Sequence, residues 1–341
     1  MKAVVVSEPG GPEKLQLVEL ADPVPGSAEI AIEIHASALN RADLLQRRGL
    51  YPPPPGTTDI LGLECSGVVS ELGPGCTGAL QLGERVMVLL AGGGYAERVV
   101  VPEALAMKIP SALSFEAAAA IPEAFLTVRE AMLVSGALCA DESVLIHAAA
   151  GGVGSAAVQM AKAMGARVFA TAGGATKCAW LRKLGADVII DYKSQDFAEV
   201  IRAETGGRGV DVILDFVGAS YAEQHGACLA ARGRHVLIGV LGGAQATINL
   251  ARMMYKRQSM IGIVMRTRTM QEKIELTRAF ARTHLPLFAD GRLKPMVDSV
   301  FALSDVARAH EHMEENKNLG KIVLCVRSTA PPAPIHLGSP T

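Results

Sequence analysis

An apolar run ending at His147 is followed by Ala148-Ala149-Ala150-Gly151-Gly152-Val153-Gly154-Ser155-Ala156-Ala157, after which the chain turns apolar again. Gly152-x-Gly154-x-x-Ala157 has the G-x-G-x-x-A spacing of a dinucleotide fingerprint. One glycine permits the turn, the next lets the backbone approach a pyrophosphate, and the small third residue lets helix and strand pack closely. With Gly151 and Val153 in the same turn, the unpaired N–H groups of a helix N-terminus would face the phosphates. A tight structural turn is the other reading. The strand before the motif and the helix after it favour the dinucleotide.

Which dinucleotide is read at the end of the next strand, where an NAD site carries an Asp or Glu about 20 residues beyond the fingerprint. Here that stretch is Thr171-Ala172-Gly173-Gly174-Ala175-Thr176-Lys177, and no acid follows until Asp187. Nothing there would repel a 2′-phosphate. Gly173 and Gly174 offer backbone, Lys177 a cation and Tyr192 a phenol donor, so NADP(H) is expected in preference to NAD; Lys177 by itself could equally be a solvated lysine.

Tyr51 stands just beyond a helical stretch and just before the prolines Pro52 to Pro55. It is the candidate donor to charge developing on a substrate oxygen, against the alternative that it only shapes the pocket. Asn40 could orient substrate or cofactor, or simply make a local turn. His147 reads as a packed histidine. His310 and His312 are expected on a solvated helix, since their spacing does not put both on one face. The cysteines at 65, 76, 139, 178, 228 and 325 form no CxxC or CxxH pair, so reduced, mostly buried thiols and no metal site are expected. Met253, Met254, Met260 and Met265 read as core or subunit packing, and Arg252, Lys256, Arg257, Arg266 and Arg268 as a basic stretch facing solvent or the NADP phosphates.

Two kinds of element must position these groups. The first ~125 residues read as short β runs, Lys2–Val6, Leu15–Glu19, Glu29–Ala36, Ser66–Leu72, Arg85–Leu89 and Tyr95–Val101, interrupted by one helix at Asn40–Arg48. From about Leu126, apolar strands at Val144–His147, Val168–Thr171, Val188–Asp191, Val210–Phe216, His235–Gly239 and Met260–Val264 enclose helices at Val153–Met164, Lys177–Leu184, Ser194–Glu204 and Tyr221–Ala231. That alternation predicts an α/β, doubly wound parallel sheet. A helix at Met270–Thr283, a strand at Met296–Phe301, a helix at Ser304–Glu315 and a strand at Lys321–Val326 return to the character of the first part.

Over residues 1–327 the chain resembles the medium-chain dehydrogenase/reductase superfamily, and within it the zinc-free quinone oxidoreductases related to zeta-crystallin, closest to the p53-inducible quinone oxidoreductase branch. The resemblance rests on Leu39-Asn40-Arg41-Ala42-Asp43-Leu44-Leu45-Gln46-Arg47, Tyr51-Pro52-Pro53-Pro54, Gly62-Leu63-Glu64-Cys65-Ser66-Gly67, Ala119-Ala120-Ile121-Pro122-Glu123-Ala124, the fingerprint, and Asn316-Lys317-Asn318-Leu319-Gly320-Lys321-Ile322-Val323. It implies a GroES-like, mostly-β catalytic domain split between residues 1–125 and 266–327. An inserted Rossmann NADP-binding domain occupies 126–265, and residues 328–341 form a disordered tail. It also implies a tyrosine donor at Tyr51, and cofactor contacts from Thr127, Gly218, Gly239, Gly242, Gly243, Arg266 and Asn316. Some members of the branch carry Ser at the position of Gly151, so a hydroxyl contact is missing here. Zinc alcohol dehydrogenases of the superfamily place Cys and His where this chain has Asn40 and Leu63, and those side chains are no zinc ligands. The resemblance thus implies an NADPH:quinone oxidoreductase without zinc. An alkenal or enone reductase and a zeta-crystallin-like RNA-binding or structural protein are the alternatives.

Composition narrows the field further. With 341 residues the chain should build two cores, and a net charge of -1 gives no sequence-wide reason to bind nucleic acid or an anionic membrane. The first residues turn polar at Ser7, short of a signal or membrane-crossing segment, so a cytoplasmic protein is expected. Met260–Val264, an apolar strand at the sheet edge, predicts a homodimer, with a tetramer as the larger possibility. Of 35 glycines, 18 lie between Val128 and Met265, concentrated at strand ends.

Overall fold

A computed structural model describes residues 1–327; the tail expected to be unstructured, 328–341, lies outside the described residues. The chain begins with β1 (Lys2–Val6), β2 (Leu15–Glu19) and β3 (Glu29–Ala38), then α1 (Arg41–Arg47), β4 (Glu64–Leu72), β5 (Arg85–Leu89), β6 (Arg98–Pro102) and β7 (Ala106–Lys108). Helices α2 (Phe115–Ala119) and α3 (Pro122–Val128) lead through a π-helical stretch, Arg129–Ser135, into the alternating part. There follow β8 (Ser143–Ile146), α4 (Gly152–Ala163), β9 (Arg167–Ala172), α5 (Ala175–Leu184), β10 (Val188–Asp191), α6 (Phe197–Glu204), β11 (Val210–Asp215), α7 (Ala222–Cys228), β12 (Leu229–Leu237), α8 (Leu250–Lys256) and β13 (Ser259–Gly262). The chain returns through α9 (Met270–Thr283), α10 (Leu285–Ala289), β14 (Val297–Ala302), α11 (Val306–Glu314) and β15 (Lys321–Cys325).

The second group of strands forms a six-stranded sheet in the order β10-β9-β8-β11-β12-β13, every neighbouring pair parallel. Numbered within the sheet this is 3-2-1-4-5-6, whose order reverses between β8 and β11; ligands of such sheets sit outside the strand ends at that switch point. Strands β8 and β11 are buried throughout, which explains their unbroken apolar sequences. The other large sheet runs β14-β15-β3-β4-β5-β7 with β6 paired to β3, so both ends of the chain build it.

The sequence-based elements differ from these mostly by one to three residues. Strand β12 begins at Leu229, six residues before the expected start, because α7 stops at Cys228 and the apolar Leu229-Ala230 pair joins the sheet. Helices α2, α3, α8 and α10 were not anticipated. In α3, Pro122 and every residue from Ala124 to Val128 are buried, so no amphipathic period marks it.

Candidate active site

Helix α4 starts where the fingerprint predicts. Its first N–H groups, on Gly152, Val153 and Gly154, have no acceptor in the preceding turn, and the first bond back is Ser155 N–H to Gly151 O at 2.8 Å. A Cβ on Gly154 would lie 2.5 Å from the Ala148 carbonyl oxygen, and one on Gly152 would collide with the Lys321 side chain. The backbone thus comes as close to its neighbours as glycine allows, and the open helix end faces a cleft of about 1650 Å³ at the sheet's switch point. That cleft is the fit test for a dinucleotide: an anion cradle, large enough, with no side chain filling it.

At one end the cleft is basic. Lys177, Tyr192 and Lys193 line it together with Gly173, where a Cβ would meet the Tyr192 hydroxyl at 2.7 Å. Asp191, at the end of β10, accepts the Gly174 and Lys193 N–H groups on Oδ1 at 3.0 and 3.1 Å. Burial, then the neighbouring charges of Arg41 and Lys193, lower the Lys177 ammonium, so three cations converge on one region. Lys177 is not free: its Nζ donates to the Asn316 backbone oxygen at 2.5 Å, while the Asn316 side chain accepts from Arg41. Gly239, Gly242, Thr127, Gly151 and Val153 line the cleft. Gly174, Gly218 and Gly243 lie in turns with φ of +89°, +81° and +119°, where Ala219 N–H bonds the Gly243 oxygen at 2.9 Å. Their positive φ favours glycine on backbone grounds alone.

At the other end Tyr51 lies beneath Arg266, the guanidinium carbon 5.2 Å from the ring centroid. Arg266 is held by Ala91 O at 2.8 Å, and its Nη2, like Thr127 Oγ1, is buried with no protein partner. Both residues line the cleft, so two orphaned polar atoms await a ligand. Burial, then the nearby Glu123, raises the Tyr51 phenol. Glu123 itself is pushed up to about 8 by burial and then by the Glu64 carboxylate, leaving it protonated at neutral pH.

The floor beneath them was not foreseen as a unit. Lys321 Nζ lies 2.6 Å from Glu64 Oε1, 2.6 Å from Asn40 Oδ1 and 2.7 Å from Leu39 O. Asn40 Nδ2 donates to Glu64 Oε1 at 2.9 Å, and the Glu123 N–H to Glu64 Oε2 at 2.8 Å. Both ends of the Asn40 amide are thus committed within the floor, and the residue lines the cleft. It also caps α1, its N–H donating to Asp43 Oδ2 at 2.7 Å. Burial raises Asp43 to about 6 against the hydrogen bonds it accepts.

Other expectations are corrected too. His310 is fully buried, 3.2 Å from Arg47 Nη1 and 3.3 Å from the Tyr95 hydroxyl; only His312, paired with Asp298 at 2.8 Å, has the surface character expected of both. The basic stretch is dispersed: Arg252 pairs with Glu223, Arg268 with Glu130, and Arg266 enters the cleft. Of the methionines, Met265 is core while Met254 and Met260 are exposed. The six thiols are free, but only Cys65 and Cys228 are buried.

Comparison with known proteins places this geometry. Residues 26–111 match the alcohol dehydrogenase GroES-like domain and residues 152–279 the zinc-binding dehydrogenase family. Quinone oxidoreductase 1 of Escherichia coli is 36% identical over 324 residues, covering 92% of this chain and 96% of its own. The chain belongs to the medium-chain dehydrogenase/reductase superfamily and is quinone oxidoreductase-like. The crystal structure of Escherichia coli quinone oxidoreductase complexed with NADPH superposes with a TM-score of 0.87 at 34% identity, covering 96% of this chain and 100% of that one. The human synaptic vesicle membrane protein VAT-1 homolog is 33% identical over 345 residues, covering 95% of this chain and 86% of its own. None of these matches singles out the p53-inducible branch. The GroES-like and Rossmann-like architecture expected of the superfamily is the one observed. No helix among the described residues is long and apolar enough to cross a membrane.

Proposed function

We propose that this protein is an NADPH-dependent oxidoreductase that reduces quinones by hydride transfer without zinc. One observation carries the reading: a single cleft joins an open helix N-terminus and a cluster of cations to a floor where an ammonium group neutralises the buried carboxylate. The α4 N–H groups would hold the pyrophosphate, and Lys177, Lys193 and Arg41 the 2′-phosphate, with Lys177 turning from Asn316 to do so. Bound NADPH would supply the hydride from nicotinamide C4.

The floor argues for acceptor chemistry that needs no Lewis acid. Asn40, Leu63, Glu64 and Lys321 include no thiolate or imidazole, and the Lys321 ammonium with its three oxygen partners meets the positive-charge requirement of that pocket. A quinone is already electron-poor and accepts hydride without a metal polarising its carbonyl. Thr127 and Arg266 offer donors to orient the bound groups. Tyr51 and the protonated Glu123 supply hydrogen bonds to oxygen as it gains charge, and one of them the single proton that, with the hydride, completes the hydroquinone.

The test is a titration of NADPH against NADH, followed by turnover of 1,4-benzoquinone, a naphthoquinone and 2-alkenals. Preference for NADPH with quinone turnover is expected. Alkenal turnover exceeding quinone turnover would reassign the site to enone reduction, and binding of AU-rich RNA without NADPH oxidation would remove the enzyme reading. Tyr51→Phe should lower kcat; unchanged quinone turnover would take Tyr51 out of the mechanism.

A further inference from the structure

At the switch point the ends of three strands and one helix bring together charged and imidazole groups that the cleft chemistry does not use. Asp215 ends β11, His235 lies within β12 and His225 on α7, and one ligand atom from each lies within 4.8 Å of the others. His235 Nε2 is 2.8 Å from Asp215 Oδ2, and His225 Nδ1 is 3.4 Å from the same oxygen. His225 Nε2 contacts His147 Nε2 at 2.8 Å, and His147 Nδ1 contacts Thr171 Oγ1 at 3.0 Å. Exposure is 0% for Asp215 and His147, 1% for His225 and 5% for His235.

The bonding leaves a gap that points to a cation. Asp215 Oδ1 is satisfied by the Val217 and Gly218 N–H groups at 2.7 and 2.9 Å, which leaves Oδ2 for the imidazoles. His225 Nδ1 is buried and has no hydrogen-bond partner, although it faces Oδ2. A neutral imidazole has one N–H. With it on Nε2 and donated to His147, Nδ1 turns a lone pair on Oδ2; with it on Nδ1, the 3.4 Å approach to Oδ2 makes no hydrogen bond, so in either tautomer Nδ1 is a buried nitrogen without a partner beside a carboxylate oxygen.

We propose that Asp215, His225 and His235 form a binding site for a divalent transition ion of the zinc type, distinct from the catalytic cleft. Two imidazole nitrogens and one carboxylate oxygen are a donor set such ions take, with a fourth position for water. Bonds of about 2.0–2.1 Å in tetrahedral array separate donors by roughly 3.3 Å. The 3.4 Å pair already has that separation, and the 2.8 Å pair opens when His235 gives up the proton it shares with Asp215. His147 then accepts the His225 Nε2–H and fixes its tautomer, the outer-shell support that ligating histidines use. The ion would tie β11, β12 and α7 together and brace the Asp215-to-Gly218 turn, whose Phe216 and Val217 line the cleft.

The test uses full-length, tag-free protein dialysed against chelator and titrated with Co2+. One saturable equivalent is expected, with visible d–d bands, displacement by Zn2+, and a rise in Tm of a few degrees when the ion is in large excess over Kd. X-ray absorption of the Co2+-loaded protein should show two imidazoles and only N/O donors. Failure of binding, or a first shell without imidazole, overturns the site with no variant needed. His225→Gln and His235→Gln should each abolish the bands, and His147→Gln should weaken affinity roughly 10–100-fold. His312→Gln, at the surface, should change nothing. Binding that survives both His225→Gln and His235→Gln would overturn the assignment.

Discussion

Replacing Lys321 with methionine tests the floor of the cleft directly. Lys321 and Glu64 are 4% and 0% exposed at their side chains and 2.6 Å apart, so the variant leaves a carboxylate in the interior with only Asn40 and the Glu123 N–H to answer it. Breaking a buried pair by removing one partner costs about 3–5 kcal/mol, because the remaining charge is desolvated and uncompensated. The lost hydrogen bonds point to the same size: charge-assisted bonds contribute about 1.5–3 kcal/mol each, and Lys321 makes them to Asn40 and Leu39 as well. At roughly 2 °C per kcal/mol for a chain this large, the expected fall in Tm is about 6–10 °C. Adding Glu64→Gln removes the orphaned charge, so the double variant should recover at least half of the loss. The assay is thermal and urea unfolding of the wild type, both single variants and the double variant. A single variant that loses less than about 1 kcal/mol, or a double variant no better than Lys321→Met, would refute the view that an internal ion pair stands in this pocket.

Three further outcomes follow from other parts of the cleft. Glu123, with its pKa raised to about 8, keeps its proton in the folded state while the unfolded chain has lost its own, so its stabilising contribution fades as pH climbs through about 8; between pH 7 and 9 the wild type should lose about 1.4 kcal/mol that Glu123→Gln does not. The same variant should flatten the alkaline fall of kcat/KM, and an unchanged profile would exclude Glu123 as the acid. Lys177→Ala should raise the KM for NADPH by roughly 10–100-fold, as expected for losing a hydrogen bond to a charged group, and leave NADH unaffected; equal effects on both would remove Lys177 from the 2′-phosphate. Strand β13 is a sheet edge with Met260 exposed, so the wild type should scatter as a homodimer and Met260→Lys with Val264→Lys as a monomer; a monomeric wild type at micromolar concentration would rule the edge out as an interface.

What the sequence disclosed follows from the range over which each signal acts. The fingerprint at Gly152 and Gly154, the missing acid after β9 and the alternation of apolar strands with helices are local patterns, and the structure assembles them as the patterns imply. Lys321, Glu64, Asn40 and Glu123 meet across separations of up to 281 residues, and no spacing along the chain announces that. Asp215, His225 and His235 carry no sequence signal for the same reason: a parallel sheet brings them together, whereas metal motifs legible along a chain are short-range. Gly218 and Gly243 carry two signals at once. A glycine at a strand end reads as a ligand contact, and the positive φ of both positions favours glycine on backbone grounds as well.

The long separations also show why the chain leaves the first large sheet and comes back to it. Gly320 pairs with Gly151 through a parallel bridge, its N–H bonding the Ala150 oxygen at 2.8 Å, and this lays the next residue, Lys321, along the fingerprint turn. The Lys321 stem fills the space a Cβ on Gly152 would need, while its ammonium reaches the Asn40–Glu64 floor. One side chain therefore packs against the phosphate-binding turn and neutralises the reaction end of the cleft. Gly152 is constrained twice, by the anion it would approach and by the lysine behind it. Under that double constraint, Gly152→Ala should be milder in the Lys321→Met background than alone when stability is measured, because a mobile stem can give way, yet equally damaging to NADPH binding, because the phosphate side of the turn is unchanged.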